Sequence, residues 1–193
     1  IFLDQETTRL DSTRHRVLEI AFVIVDLTTG EEKYSFNSVV CHSEEVWNAR
    51  DPLSIIINGF TREETVQHGK SESELAIEIK RIFKEVGIIR GKSVFICQNP
   101  SFDRSFFSQI IDPYTQEKLF WPYHWLDLAS MYWTNLVKKH KEENKLIPFE
   151  VKLSKDAIAE ANNLPPESRP HRAMQGVCHL LLCYQHVVGF SKK

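Results

Sequence analysis

The stretch RVLEIAFVIVD, Arg16–Asp26, limits the fold more than any other part of this chain. It is rich in β-branched and aromatic residues, and along Ile20–Val25 it is apolar on both faces. A strand without a polar face belongs at the centre of a sheet that is covered on both sides. Ile1–Leu3 lead into an earlier strand. LTTGEE supplies turn chemistry around Gly30, and Lys33–Cys41 alternates like a return strand. The first third of the chain is therefore expected to be a three-stranded meander.

Helices and short strands alternate afterwards. Thr61-x-x-Glu64 and Ser71-x-x-Glu74 are capping boxes, the second opening a helix with Leu75, Ile79, Ile82, Phe83 and Val86 on one face and Gly87 at its end. Ser93–Asn99 reads as a short buried strand, followed by a helix through SFDRSFFSQII. A second short strand near His124–Leu126 feeds a helix from about Asp127 to His140. The mixed charges of Lys138–Lys145 suit a solvated helix end. Ser154 caps a helix that the prolines at 165 and 166 terminate, and a last helix begins near His171. Strands first, then strands alternating with helices, imply a mixed α/β sheet with helices packed on it. At 193 residues, one domain over 1–193 is expected, with a sizeable core.

Composition excludes little. Twenty-four Lys and Arg against 26 acids give a formal charge of −2, so a nucleic-acid partner would have to meet a local basic face. Cys41, Cys97, Cys178 and Cys183 form no C-x-x-C pair and read as free thiols of a reducing compartment, the cytoplasm. No apolar run has the length of a membrane span. The chain opens at Ile1, so a natural start upstream is expected.

FLDQETT, residues 2–8, sets Asp4 and Glu6 side by side on one face of the first strand. Two carboxylates that close repel unless a cation lies between them. They read either as a solvated strand end or as ligands of a divalent metal. Asp103 follows the short strand in CQNPSFDRSFF, and His171 stands at the mouth of the last helix in RPHRAM. Strand ends and helix starts are where α/β folds gather ligands. Taken singly, an Asp near a helix start is more often a cap, and a loop His is more often solvated.

Together and in this order, D-x-E-T-T, N-x-x-F-D and H-R-A resemble the DEDDh (DnaQ-like) family of 3′→5′ exonucleases, of the polymerase III epsilon and ribonuclease T type. INGFT, at 57–61, is similar to the family's H-G-I-T stretch, and LSKDAIAEANNLPPESRPHRAM has the layout of its third motif. The resemblance implies a ribonuclease-H-like fold, a mixed five-stranded sheet flanked by helices. It also implies release of nucleoside monophosphates from single-stranded DNA or RNA ends, with two Mg²⁺ or Mn²⁺ ions in the family and one or two here. By analogy Asp4 bridges the ions, Glu6 and Asp103 each hold one, and His171 is the general base. Thr7 then contacts the terminal sugar, Leu10 packs on its base, and His171 also borders the substrate. A polymerase complex or a homodimer is the implied protein partner, with no membrane role.

The chain departs from the family at one acid. Five residues after His171 the family has Asp; here stands Gly176, between Gln175 and Val177. Three readings follow: activity lost on a retained fold, an introduced change, or another acid in the missing place, with Asp127 the first candidate and Gln175 a neutral one. Gly176→Asp would supply the missing oxygens and is expected to raise metal affinity and activity, and it would also relieve the cost of Gly inside a helix, about 1 kcal/mol against Ala. The alternative is a catalytically impaired pseudo-exonuclease that binds nucleic-acid ends or a partner protein. Gln98 stands where the family often has His, and Arg9, in place of the usual Gly, is a candidate phosphate partner.

Overall fold

Val17–Val25 is buried along its whole length in the computed structural model, which describes residues 1–146 and 150–190. This strand, β2, pairs antiparallel with β1 (Phe2–Thr7) and with β3 (Glu32–Val39). Parallel pairing then adds β4 (Phe95–Cys97) beside β1 and β5 (Trp125–Asp127) beside β4. The sheet order is β3-β2-β1-β4-β5, the mixed five-stranded sheet expected from the sequence. β1 is thus central although it is the first element, and its two acids are the half-buried positions of an otherwise buried strand.

Three short helices follow β3: α1 (Glu44–Asn48), α2 (Pro52–Asn58) and α3 (Arg62–His68). Then comes α4 (Glu72–Val86), with both halves of the Ser71–Glu74 capping box made and Gly87 in the left-handed conformation that ends it. After β4 stand α5 (Pro100–Ile110) and α6 (Pro113–Lys118); after β5 stand α7 (Leu128–Glu142), α8 (Lys155–Ala161) and α9 (Ala173–Val187). The short helices α1, α2 and α6 have no long apolar stripe, and α8 stops before the prolines because Asn163 turns left-handed at φ 56°.

The alternation of β1 divides the core. Leu3, Ile20, Phe22, Phe83, Phe95 and Phe107 pack on one face, against α4 and α5. Phe2, Ala21, Ile96, Leu128, Ile158, Val177 and Leu180 pack on the other, against α7, α8 and α9. By the same period-two rule Asp4 and Glu6 share the face of Phe2, beneath α8 and α9. No helix among the described residues is long and apolar enough to cross a membrane.

Candidate active site

Asp4 and Glu6 project from the far half of β1, opposite Ala21 and Glu19 of β2. Glu19 is buried, and its Oε2 accepts a hydrogen bond from Ala173 N at 2.7 Å. A carboxylate at the start of α9 satisfies a free N–H and complements the helix dipole, so a strand residue does the capping that Arg172 does not. Arg172 instead pairs both guanidinium nitrogens with Glu64, at 2.6 and 3.0 Å, over the ring of Phe60.

The loop that carries His171 is held from the opposite side. His171 N donates to Ile57 O at 3.0 Å, and Asn58 Nδ2 donates to Thr7 O at 3.4 Å. The INGFT segment therefore ties the end of β1 to the histidine loop. Thr7 is buried, with its hydroxyl donating to Arg9 O, while Leu10 is 73% exposed in the loop before β2. Arg9 is paired with Asp51, so the structure engages it with an acid of its own chain.

Asp103 sits in the first turn of α5, 2% exposed, and its Oδ1 has no hydrogen-bond partner among the described residues. Burial first, then the charge of Asp4, raises its carboxyl well above the usual range. Burial and the charges of Asp4, Glu167 and Glu19 likewise push Glu6 up to about 8. Asp4, Glu6 and Asp103 thus act on one another through charge. Among the described residues, however, the trio whose donor atoms all lie within 4.8 Å is Asp156, Glu167 and His179, not these three.

A lysine faces these acids. Lys155, the first residue of α8, donates from Nζ to Asp4 Oδ2 at 3.0 Å and to Gly176 O at 3.1 Å, and pairs with Glu167 Oε2 at 3.0 Å. Burial works against its charge, but Asp4 and Glu167 outweigh burial and hold the ammonium above its ordinary range. Neither Lys155 nor Glu167 stands out in the sequence. The signal was indirect: an acid missing at 176, and a Glu four residues before His171 between two prolines.

Gly176 has a steric reason. A Cβ there would fall on Asp4 Oδ2, 2.7 Å from Asp4 Cγ and 3.1 Å from Glu167 Oε1. A side chain at 176 therefore requires the Asp4 carboxylate to shift, a steric cost that the expectation for Gly176→Asp did not include. Asp127 is excluded as the substitute. Its two oxygens accept from Ala129 N, Ser130 N, the Ser130 hydroxyl and Asn99 N, so it is the N-cap of α7 and a brace for the turn before α5. Gln98, for its part, donates to Leu153 O at 2.7 Å.

The donor set suits a hard divalent cation. Its candidate donor atoms are carboxylate oxygens, and among the described residues one buried oxygen each of Asp103 and Glu167 lacks a hydrogen-bond partner.

Comparison with solved structures places this fold. The zinc-ion-bound complex of E. coli exonuclease I with single-stranded DNA superposes with a TM-score of 0.70 at 17% identity, over 96% of this chain and 39% of that one. The same enzyme with a dT13 oligonucleotide gives 0.68 at 18% identity, over 96% and 40%. The complex with a 5cy-dA13 oligonucleotide gives 0.71 at 18%, over 95% and 39%. The chain spans about two fifths of the length of these structures. No curated protein sequence matches it. The exonuclease family model RNase_T matches residues 1–177, from the first strand through Val177, and on that match the chain belongs to this exonuclease family.

Proposed function

We propose that this chain is a divalent-metal-dependent 3′→5′ exonuclease that removes nucleoside monophosphates from single-stranded DNA. The observation that carries the reading is the gathering of carboxylates at Asp4, Glu6 and Asp103, of which Asp103 is buried with Oδ1 unpartnered among the described residues and Glu6 is pushed up to about 8 by burial and its acidic neighbours. Carboxylates crowded together under burial are costly to fold and cluster at functional sites. Similarity to exonuclease I structures holding single-stranded DNA supports DNA over RNA as the substrate to test first.

Asp4, Glu6 and Asp103 would hold the metal, Mg²⁺ or Mn²⁺. When bound, it would polarise the scissile phosphate and offset charge that develops on its oxygens. The protein's own groups do the rest. His171 stands on a loop pinned through its backbone to Ile57, which leaves the ring free to take a proton from the attacking water. Thr7, at the end of β1, offers backbone to the terminal nucleotide, and exposed Leu10 offers an apolar surface for its base. Glu19 fixes the start of α9, two residues from the histidine.

A second reading has one observation in its favour. Lys155 already gives the centre a positive charge against Asp4, as a non-hydrolysing binder of nucleic-acid ends would use to remain folded without metal. A single assay separates the two. With Mg²⁺ or Mn²⁺, a 5′-labelled single strand should shorten one nucleotide at a time and stop shortening in EDTA. Binding of the strand with no shortening in either metal establishes the second reading, and shortening from the 5′ end overturns the polarity.

A further inference from the structure

We propose that Glu167 is the fourth carboxylate of the metal centre, supplied by the loop ahead of His171 rather than by helix α9, with Gly176 keeping the space for it. This rests on the reading of the centre as metal-dependent. Glu167 is 8% exposed, and its two oxygens face different neighbours. Oε2 pairs with Lys155 Nζ at 3.0 Å, and Lys155 in turn bonds Asp4 at the same distance. Oε1 is buried without a hydrogen-bond partner among the described residues and points at the space above Gly176, 3.1 Å from where a Cβ would stand. Asp4 Oδ2 borders that same point. A carboxylate oxygen therefore occupies the volume that an acidic side chain at 176 would enter, reached from the loop instead of the helix. His171 Nδ1 lies 3.7 Å from the same Oε1, so the acid also borders the candidate base.

The placement is built by the chain around it. Glu167 N donates to Asp156 Oδ1 at 2.9 Å, which fastens the loop to α8. Lys155, one residue earlier on α8, then aims its ammonium between Glu167 and Asp4. Lys155 is a positioning residue: it keeps two like charges together and leaves Oε1 free. A competing destination for Glu167 is the trio with Asp156 and His179, whose Nδ1 is 3.8 Å from Oε2. The unpaired oxygen is the one turned towards Asp4 and Gly176, so the Asp4 centre is favoured.

The experiment is Mn²⁺ binding to the full chain, read by electron paramagnetic resonance and calorimetry, with thermal melting to verify folding. Glu167→Gln keeps the size and one acceptor oxygen but removes the charge, and should weaken Mn²⁺ binding at least about tenfold, as should Asp4→Asn. Asp156→Asn, which keeps the oxygen that accepts from Glu167 N, and His179→Gln should bind Mn²⁺ as the unaltered chain does. Native-like affinity in Glu167→Gln overturns the proposal, as does a loss shared with Asp156→Asn and His179→Gln but not with Asp4→Asn. If Glu167→Gln does not fold, anomalous scattering from Mn²⁺-soaked crystals of the unaltered chain decides. Density bonded to both Asp4 and Glu167 supports the assignment, and density on Asp4 and Asp103 with Glu167 still on Lys155 overturns it. Absence of any Mn²⁺ binding by the unaltered chain overturns the metal-dependent reading itself, an outcome distinct from binding that ignores Glu167.

Discussion

Asp4 Oδ2 lies in the volume that a Cβ on residue 176 would take, so the acid on β1 and the glycine on α9 are sterically interlocked. Strand and helix approach so closely there that Lys155 spans both, bonding Asp4 and the Gly176 carbonyl with one ammonium.

Gly176→Ala should therefore lower stability despite the better helix propensity of alanine. The propensity gain is about 1 kcal/mol, whereas forcing atoms into a filled site costs about 1–3 kcal/mol. Asp4 must also leave its bond with Lys155 to make room. Thermal denaturation should show a melting point at or below that of the unaltered chain, and Gly176→Asp should not gain Mn²⁺ affinity. A clear rise in melting point for Gly176→Ala would show that Asp4 rotates away freely.

His171→Ala should reduce single-strand shortening by about 10²- to 10⁴-fold, the usual contribution of a positioned general base. Binding of a 3′ single-stranded end, measured by fluorescence anisotropy in Ca²⁺, should change little. An unaltered rate removes the histidine from the reaction.

Glu19→Ala strips α9 of its N-terminal acceptor and leaves Ala173 N–H buried without one. Loss of about 1–3 kcal/mol is expected. Glu19→Gln keeps an acceptor oxygen and should stay within about 1 kcal/mol of the unaltered chain. Denaturant titration of the two variants checks the contrast; equal losses would assign the effect to the charge instead of the bond.

The pH dependence of the metal-free chain follows from Glu6, which burial and then Asp4, Glu167 and Glu19 push up from 4.5 to about 8. Between those values the folded chain keeps a proton that the unfolded chain has released. Stability from this group is complete below the unfolded value and is lost as pH rises through about 8. In EDTA the melting point should drop by several degrees from about pH 6 to about pH 9. Glu6→Gln should flatten that drop, and Mn²⁺ should stabilise more at the higher pH because its ligands must be deprotonated. A melting point independent of pH in this range, in the unaltered chain, contradicts the crowding described for Glu6.

Much of this protein was legible along the chain because the relevant physics is local. The two-sided apolar run of β2, the Ser71–Glu74 box and the Gly87 stop depend on residues a few positions apart, and each appears where expected. Asp4 and Glu6 were paired by strand period alone, and the order of Asp103 and His171 along the chain carried the family resemblance. What folding alone decided involves partners far apart in sequence. Lys155 reaches Asp4 across 151 positions, and Glu19 caps α9 across 154. Neither distance leaves a periodicity to read. Gly176 is the sharpest case: in the sequence it is a missing acid, because a residue letter records what a side chain is and not what occupies its space. Only the packing of α9 on β1 shows that Asp4 and Glu167 already fill that place, since close approach of two backbones is a property of the assembled core.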